Sequence, residues 1–116
     1  MSTVVLVGSD LMARSRLTDA ASRMGMTLQT VAVDELSARL SQLPASLLVI
    51  DLDEGGDQVL QALSRAREQG SLPSRVVGFY SHVNRALGQA AEAAGCEAWP
   101  RGKFWGSLPG SLQPEG

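Results

Sequence analysis

Three acidic side chains follow an apolar run near the middle of the chain. Residues 47–56 read LLVIDLDEGG, so that Asp51 directly ends four apolar residues, and Asp53 and Glu54 lie just beyond it. A buried strand normally excludes charge. These acids therefore lie either in a solvated loop or at a strand end. At a strand end, the Asp51 carboxylate would be positioned to take part in a reaction.

A second group of polar residues follows the first apolar run. Ser9 and Asp10 come directly after Gly8, and both residue types commonly cap the first turn of a helix. A strand-to-helix turn that begins with glycine also presents free backbone N–H groups to an anion, although the glycine-rich dinucleotide fingerprint is missing. Capping is the favoured interpretation, and ligand binding is the alternative.

Other reactive side chains are few. The 116 residues include one cysteine, Cys96, and one histidine, His82. This composition excludes an intramolecular disulfide and leaves too few ligands for a Cys/His metal site. It also offers no arrangement of serine or cysteine with histidine that would support nucleophilic catalysis. We expect Cys96 to be a small buried residue and His82 to lie in a loop or at a helix start, and we predict no enzyme activity.

The candidate residues lie at the ends of apolar segments that are typical of buried strands. The first segment, TVVLV, is a continuous β-branched run, as in a strand covered on both faces. Strands are predicted at residues 3–7, 28–33, 47–51, 75–80 and 96–100. The segments between them carry apolar residues at helical spacing, so that strands and helices alternate along the chain.

Four helices are predicted between these strands from the spacing of apolar residues on one helix face. Their predicted starts are Asp10, Asp34, Asp57 and Val83. The residues expected to end or separate them are Gly25, Pro44, the loop glycines Gly55 and Gly56, and Gly95. The predicted inward residues are Ala13, Leu17, Ala20, Ala21 and Met24, then Leu36, Leu40 and Leu43, then Val59, Leu60, Leu63 and Ala66, and finally Val83, Leu87, Ala90, Ala91 and Ala94.

The C-terminal part carries a broken helical pattern. Three apolar residues keep helical spacing, and two glycines and a proline interrupt them. They are Phe104, Leu108 and Leu112, interrupted by Gly106, Pro109 and Gly110. Because a proline inside a helix costs roughly 3 kcal/mol, we predict a shortened last helix of one or two turns. The domain is expected to span residues 1–112, followed by a polar tail at 113–116.

The alternation of strands and helices predicts an α/β fold, a three-layer, doubly wound five-stranded parallel sheet with helices on both faces. In open sheets of this kind, functional groups gather at the carboxyl ends of the strands, near the point where strand order reverses. This places residues 8–10, 51–54, 80–82 and 100–103 along one edge, which we call the carboxyl rim. These residues are distant in sequence and neighbours in the predicted fold.

Composition and charge restrict the class of protein. Apolar residues make up 44% and charged residues 19%, as in a soluble globular domain. A net charge of −2 does not indicate the positively charged surface that binds nucleic acid. No apolar run is long enough to cross a membrane. The start of the chain lacks the features of a signal peptide. We therefore expect a cytoplasmic protein with neither nucleic acid nor membrane as a partner.

Four segments together resemble the receiver domain of bacterial response regulators. They are VVLVGSDLMARSRL, LLVIDLDEGG, RVVGFYSH and AAEAAGCEAWPRGKF, and the resemblance covers nearly the whole chain. It implies strand order 2-1-3-4-5 and places Asp51 where receivers accept a phosphoryl group from a histidine kinase. It places Tyr80, with Ser81 beside it, at the switch position that ends strand four. Arg101 or Lys103 would supply the cation that ends strand five.

The sequence departs from the receiver pattern where the family binds Mg²⁺. Receivers hold the ion with an acidic pair that ends strand one and with the phosphoacceptor, but the pair aligns here with Gly8 and Ser9. Because Mg²⁺ prefers carboxylate oxygens, only a weak site built from Asp10, Asp51 and Asp53 is implied, and no other cofactor is expected. Without strong metal binding, the charge on a transferring phosphoryl group stays largely unneutralised.

Three hypotheses of function follow from this resemblance and its departures. The leading one is a stand-alone degenerate receiver, or pseudo-receiver, that acts as a phosphorylation-independent signalling or protein-interaction module. Its partner would be a signalling protein, a kinase or a second copy of the chain. The second is a genuine phospho-receiver with Asp51 as acceptor, and the third is a small anionic ligand binder at the carboxyl rim. Asp51 is otherwise a strand-end acid paired with Arg101 or Lys103.

Three of the five aromatic side chains lie close together near the C-terminus: Trp99, Phe104 and Trp105. Aromatic side chains anchor many protein interfaces, and in receivers this edge is the usual partner face. The three residues are therefore candidates for partner binding. The alternative is that they cover the core where the last helix is cut short, and the sequence favours neither.

Overall fold

A computed structural model describes residues 2–43, 45–108 and 110–112 and shows a five-stranded parallel sheet. Its strands are Ser2–Val7 (β1), Met26–Thr30 (β2), Leu47–Asp51 (β3), Arg75–Tyr80 (β4) and Glu97–Pro100 (β5). The strand order is β2-β1-β3-β4-β5, and every neighbouring pair is parallel. The predicted α/β class and strand order are confirmed.

Helices cover both faces of this sheet. The α-helices of the described chain are Leu11–Arg23 (α1), Leu36–Gln42 (α2), Leu52–Gly55 (α3), Asp57–Glu68 (α4), Arg85–Ala93 (α5) and Arg101–Gly106 (α6). Two short 3₁₀ helices lie at Val33–Glu35 and Gly110–Leu112. The chain therefore has the three layers that the alternating pattern predicts.

The core has two parts, one on each face of the sheet. On the first face, Leu17 of α1 and Phe104 of α6 pack with Phe79 of β4. On the second face, Leu36 of α2 and Leu63 of α4 pack in a separate cluster with alternate residues of the strands. All five residues of β3 are buried. Its continuous apolar sequence is thus explained by helices on both sides.

The register of the sheet aligns the carboxyl ends of the strands. Ile50 of β3 pairs with Val7 of β1, and Asp51 pairs with Phe79 of β4. Pro100 of β5 pairs with Tyr80, the last residue of β4. Because all the strands run in the same direction, the residues that follow these pairs share one edge of the sheet. The carboxyl rim thus exists as predicted.

The second strand begins earlier than predicted. It covers Met26–Thr30 rather than residues 28–33. Gly25, at a φ of 73°, turns the chain sharply out of α1, and Met26 pairs at once with Ser2. The Val31 N–H still donates to the Leu6 carbonyl at 2.9 Å, but the chain then enters the first 3₁₀ helix. The turn geometry, rather than the run of apolar residues, sets the bounds of this strand.

The segment after β3 is helical at once, so the prediction of a loop at Gly55 is wrong. Gly55 ends the single turn of α3, and Gly56, at a φ of 53°, separates that turn from α4. A Cβ on Gly55 would lie 1.9 Å from Cγ2 of Val59, so this close contact between the helices requires glycine. The helix at Asp57 is confirmed. Asp34 lies inside a 3₁₀ helix, and no side-chain cap begins α2.

The fourth predicted helix starts later than its apolar pattern indicates. Val83 lies before α5 and is 77% exposed, so its predicted inward position is wrong. Asn84 caps the helix instead, and its Oδ1 accepts the Leu87 N–H at 3.4 Å. This start turns Ala91 toward the core and leaves Ala90 exposed. A polar residue that can cap has set the helix start here, as capping preferences lead one to expect.

The C-terminal part is short, as predicted. It consists of α6 and the second 3₁₀ helix, and both Phe104 and Leu112 are fully buried. Pro44, Pro109 and the predicted tail at 113–116 lie outside the described residues. Within the part of the chain that the structure describes, no helix has the length and apolar character needed to span a membrane.

Candidate functional site

Asp51 lies at the centre of the carboxyl rim. It ends β3, which is the middle strand of the sheet, and only 4% of its surface is exposed. The chain turns into α3 immediately after it, so Asp53 and Glu54 lie in the first turn beside it. The acids are therefore not in a solvated loop, and the Asp51 carboxylate is held against the end of the sheet.

Arg101 brings a positive charge to these carboxylates. Its Nη2 donates to Asp51 Oδ1 at 2.7 Å, and its Nε donates to Asp53 Oδ2 at 2.8 Å. The guanidinium also lies over the ring of Phe79, 4.7 Å from the centroid. Arg101 is the first residue of α6, directly after β5, and this position directs it back across the rim. One cation therefore binds two acids at the end of β3.

Burial and charge act in opposite directions on the ionisation of Asp51. Burial, the largest effect, raises the pKa of its carboxyl above the ordinary value, while Arg101 opposes that rise through its charge and hydrogen bond. The nearby charges of Glu54 and Asp53 raise the pKa further. For Arg101, burial lowers the pKa, but the hydrogen bonds and charges of Asp53 and Asp51 outweigh burial and raise it. The guanidinium thus stays protonated.

Glu54 binds the turn between β1 and α1. Its Oε2 accepts the Ser9 backbone N–H at 2.7 Å, and its Oε1 accepts the Ser9 hydroxyl. A Cβ on Gly8 would lie 3.1 Å from the Cβ of Asp51 and 3.4 Å from Glu54 Oε2. The carboxylate that binds Ser9 in this turn therefore comes from α3, and neither Gly8 nor Ser9 contributes one. Sequence reasoning gave Glu54 no role, although its place in a run of acids was visible.

Asp10 caps α1, as the favoured interpretation predicts. Its Oδ1 accepts the N–H groups of Met12 at 2.9 Å and Ala13 at 3.4 Å. The carboxylate thus satisfies the first turn of the helix. Asp10 does not join Asp51 and Asp53, which are bound to each other through Arg101.

The donor set does not fit a bound Mg²⁺ ion. Mg²⁺ demands several oxygen ligands in near-octahedral geometry, but Gly8 and Ser9 supply no carboxylate, and the guanidinium of Arg101 stands between Asp51 and Asp53. Among the described residues, no three acids, histidines or cysteines form a group that could hold a metal ion. We therefore derive no chemistry through a metal in this site.

The other predicted rim residues have different positions. Tyr80 packs against α5, where a Cβ on Gly88 would lie 2.6 Å from its ring. Ser81 is half-buried, and its carbonyl accepts the Asn84 N–H at 2.9 Å. Lys103 is exposed on α6, so of the two candidate cations it is Arg101 that contacts Asp51. Their roles in switching or catalysis stay predictions.

The three C-terminal aromatic residues form one cluster with Phe79. Phe104 stacks on Phe79 with 5.0 Å between ring centroids. The ring centroid of Phe104 is also 5.0 Å from that of Trp105 and 6.4 Å from that of Trp99. Phe104 is fully buried, so the prediction that it contacts a partner is corrected: it is a core residue. Trp99 and Trp105 are half-buried, and Arg16 lies over the ring of Trp105 at 4.6 Å. Only these two present surface to a partner.

The remaining reactive residues lie away from this site. Cys96 is buried, as predicted, and burial raises the pKa of its thiol to about 12, with the charges of Glu92 and Glu97 adding to the effect. It is therefore unreactive at neutral pH. His82 is exposed in the segment between β4 and α5, as the sequence predicts.

Comparison with known proteins identifies the fold. No protein-family model matches the sequence, and no curated protein matches it either. The receiver domain of the TMAO respiratory system response regulator TorR matches 84% of this chain and 81% of its own, with 14% identity and a TM-score of 0.71. The chain has the receiver fold. A response regulator receiver protein from Burkholderia phymatum matches 84% of this chain and 80% of its own, with 20% identity and a TM-score of 0.63.

Within the receiver fold, Asp51 ends the third strand, the position that the resemblance assigns to the phosphoacceptor. The resemblance also aligns the acidic pair of receivers with Gly8 and Ser9, which carry no carboxylate. Sequence reasoning did not find that one arginine would bind both Asp51 and Asp53, because two candidate cations lay two residues apart. β5 ends at Pro100, as predicted, so that Arg101 directly follows it, but the reach of this side chain to both acids depends on contacts across the rim.

Proposed function

We propose that this chain is a pseudo-receiver, a signalling module that keeps the receiver fold and works through protein contacts without phosphorylation. It would act in a bacterial cytoplasm as a binding module rather than an enzyme. The observation that carries the proposal is the bridge from Arg101 to both Asp51 and Asp53. This bridge, with its surroundings, opposes phosphoryl transfer.

The first reason concerns the nucleophile. A phosphoryl acceptor must present a carboxylate oxygen in line with the leaving group. Oδ1 of Asp51 is already bound to Arg101 at 2.7 Å, and the residue is 4% exposed. At this oxygen a phosphodonor would have to displace a hydrogen-bonded cation, and the burial of the acid restricts its approach to the other oxygen.

The second reason concerns charge. The transferring phosphoryl group carries negative charge that receivers neutralise with Mg²⁺, and the donor set here does not fit that ion. The Glu54 carboxylate instead lies against the β1–α1 turn, on the side where the acidic pair would bind metal. Two unneutralised negative charges close together in a site of low dielectric repel strongly. The site therefore raises the barrier that a receiver must lower.

The third reason concerns what the fold retains. The core on both faces of the sheet is complete, and all the residues of β3 are buried. The chain therefore presents an ordered surface to a partner. Trp99 and Trp105 are half-buried aromatic residues on that surface, and such side chains commonly anchor interfaces. We propose them as contacts for a protein partner or a second copy of the chain.

Incubation with a small phosphodonor and Mg²⁺, followed by intact-mass measurement, tests the proposal. We expect no increase in mass by one phosphoryl group. Asp51→Ala and Asp53→Ala serve as matched variants, and a phosphorylatable receiver treated alongside shows that the donor is active. An added phosphoryl group that is lost in Asp51→Ala and kept in Asp53→Ala would show a genuine phospho-receiver and overturn the proposal.

A further inference from the structure

A cleft of about 530 Å³ opens at the carboxyl rim, on the side of Asp51 that faces β2. Its walls are the turn after β1, the first turn of α1, residues 30–33, and the segment that joins α3 to α4. Asp51 forms part of its lining, but Arg101 and Asp53 do not. The volume lies within the roughly 300–1,000 Å³ that is usual for small-molecule sites. This space is therefore distinct from the ion-paired cluster of acids.

The base of the cleft is apolar. Val7, Val31 and Val59 line it, and all three are buried in the core. Leu11 also lines the cleft and is 75% exposed, although it is a large apolar residue. A ligand with an apolar or flat body would remove this surface from water, which is favourable in proportion to the area covered.

The charges around the cleft leave one cation for a ligand that carries one anionic group. Arg14, on the first turns of α1, is its cationic residue. Within the described chain, the guanidinium of Arg14 makes no ion pair and no hydrogen bond; the Thr18 hydroxyl donates only to the backbone carbonyl of Arg14. The two acids that also line the cleft are engaged, Glu54 by Ser9 and Asp51 by Arg101. Arg14 is thus the charge at this cleft that is left for a ligand.

We propose that this cleft binds a small organic anion with one acidic group, a carboxylate or a phosphate monoester, carried on an apolar or aromatic body. The body lies against the valine-lined base, and the anionic group pairs with Arg14, whose planar fork suits both carboxylate and phosphate. Glu54, Asp51 and Asp53 keep the surroundings negative, so a polyphosphate binds less well than a ligand with one acidic group. This site goes beyond the proposed signalling function and does not depend on it.

Thermal unfolding and calorimetric titration with a matched set of probes test this site. Benzoate and adenosine monophosphate combine a flat body with a carboxylate or a phosphate monoester. Adenosine supplies the flat body without an anionic group, and inorganic phosphate supplies an anionic group without the body. Adenosine triphosphate has the same body and more negative charge. We expect the unfolding temperature to rise with at least one of the first two probes at millimolar concentration, and little change with the others. The response to benzoate against adenosine monophosphate tells which anionic group is preferred.

Two variants locate the binding. Arg14→Gln should weaken the affinity about tenfold or more, as expected for the loss of a charge-assisted hydrogen bond. Ala32→Trp, at an exposed position of the cleft, should block it. Arg23→Gln, on the same helix but outside the cleft, is the matched control and should leave affinity unchanged. The proposal is overturned if neither benzoate nor adenosine monophosphate raises the unfolding temperature, if Arg14→Gln binds like the wild type, or if the triphosphate binds more tightly.

Discussion

Asp51 is a buried acid whose ionisation is governed by two opposing influences. Burial favours its neutral form, and the guanidinium of Arg101 at 2.7 Å favours its charged form. The balance lies with burial, so the pKa of the carboxyl is raised. A raised pKa in the folded state means that the acid stabilises the fold when it is protonated, and that this contribution is lost as pH rises through the folded-state pKa.

This sign leads to a test with a residue that cannot ionise. Asp51→Asn keeps a side-chain oxygen that can accept from Arg101. We expect a higher free energy of unfolding than in the wild type at neutral pH, and a difference that shrinks as the pH falls through the raised folded-state pKa and is lost below the ordinary value of 3.8. Urea unfolding at a series of pH values measures it. Asp19→Asn, which removes an exposed acid paired with Arg23, is the control. A less stable Asp51→Asn protein at neutral pH would show that the ion pair dominates.

Some residue roles follow from sequence and others do not. The cap at Asp10 and the strand end at Asp51 follow from local rules about helix starts and apolar runs. The bond between Glu54 and Ser9 joins residues 45 positions apart. It depends on the single helical turn of α3. That turn was not predicted from the sequence, because the glycines at its end indicated a loop. Local patterns identify the ends of elements, but contacts across the rim depend on how those ends are placed.

At the scale of elements, the packing of α5 on β4 depends on one glycine. The ring of Tyr80 fills the space above Gly88, where a Cβ would lie 2.6 Å from Cζ and 2.8 Å from the hydroxyl oxygen. Glycine in a helix is normally unfavourable by roughly 0.5–1 kcal/mol. Its presence in α5 is explained because any larger residue would push the helix away from the tyrosine.

Replacing this glycine should therefore separate steric fit from helix propensity. Gly88→Ala is expected to lower the free energy of unfolding by about 1–3 kcal/mol, because overpacking outweighs the gain in propensity. Gly102→Ala in α6, where no atom lies within 4 Å of the added carbon, should be neutral or stabilising by up to about 1 kcal/mol. Urea unfolding measures both. A Gly88→Ala protein as stable as Gly102→Ala would contradict the close packing of Tyr80.

The elements themselves were largely predictable, and the errors share a cause. β3 and β4 have the predicted bounds, because continuous apolar runs with polar ends define them. β2 and α5 are displaced, because a glycine turn in one case and the Asn84 cap in the other set where each element begins. Apolar periodicity indicates which segments are buried, whereas turn and cap geometry decides the first residue.

At the scale of the whole molecule, the partly exposed tryptophans distinguish one surface. The ring centroids of Trp105 and Phe79 are 5.1 Å apart, and the guanidinium of Arg16 lies 4.6 Å from the ring centroid of Trp105. An aromatic side chain that is already held by such contacts, and is partly exposed to solvent, loses little conformational freedom on binding. It is therefore a suitable anchor for the proposed partner.

Removing this anchor should reduce binding without unfolding the chain. Trp105→Ala is expected to lower the recovery of specific partners in a pull-down by about tenfold or more, as interface anchors do. Val83→Ala changes an exposed apolar residue outside the aromatic cluster and is the matched control. Circular dichroism checks that both variants remain folded. Recovery of the same partners at equal yield by the wild type and Trp105→Ala would exclude this surface as the interface.

The short edge strand β5 limits how two copies of the chain could associate. It has four residues, and the last of them, Pro100, offers no backbone N–H for pairing. Glu97, at its other end, is bound to Arg75 at 3.0 and 3.1 Å. Short edge strands that carry charge and proline are poor templates for pairing between sheets. Any dimer formed on this side of the molecule must therefore be built from side chains, because the sheet cannot readily continue from one copy into the next.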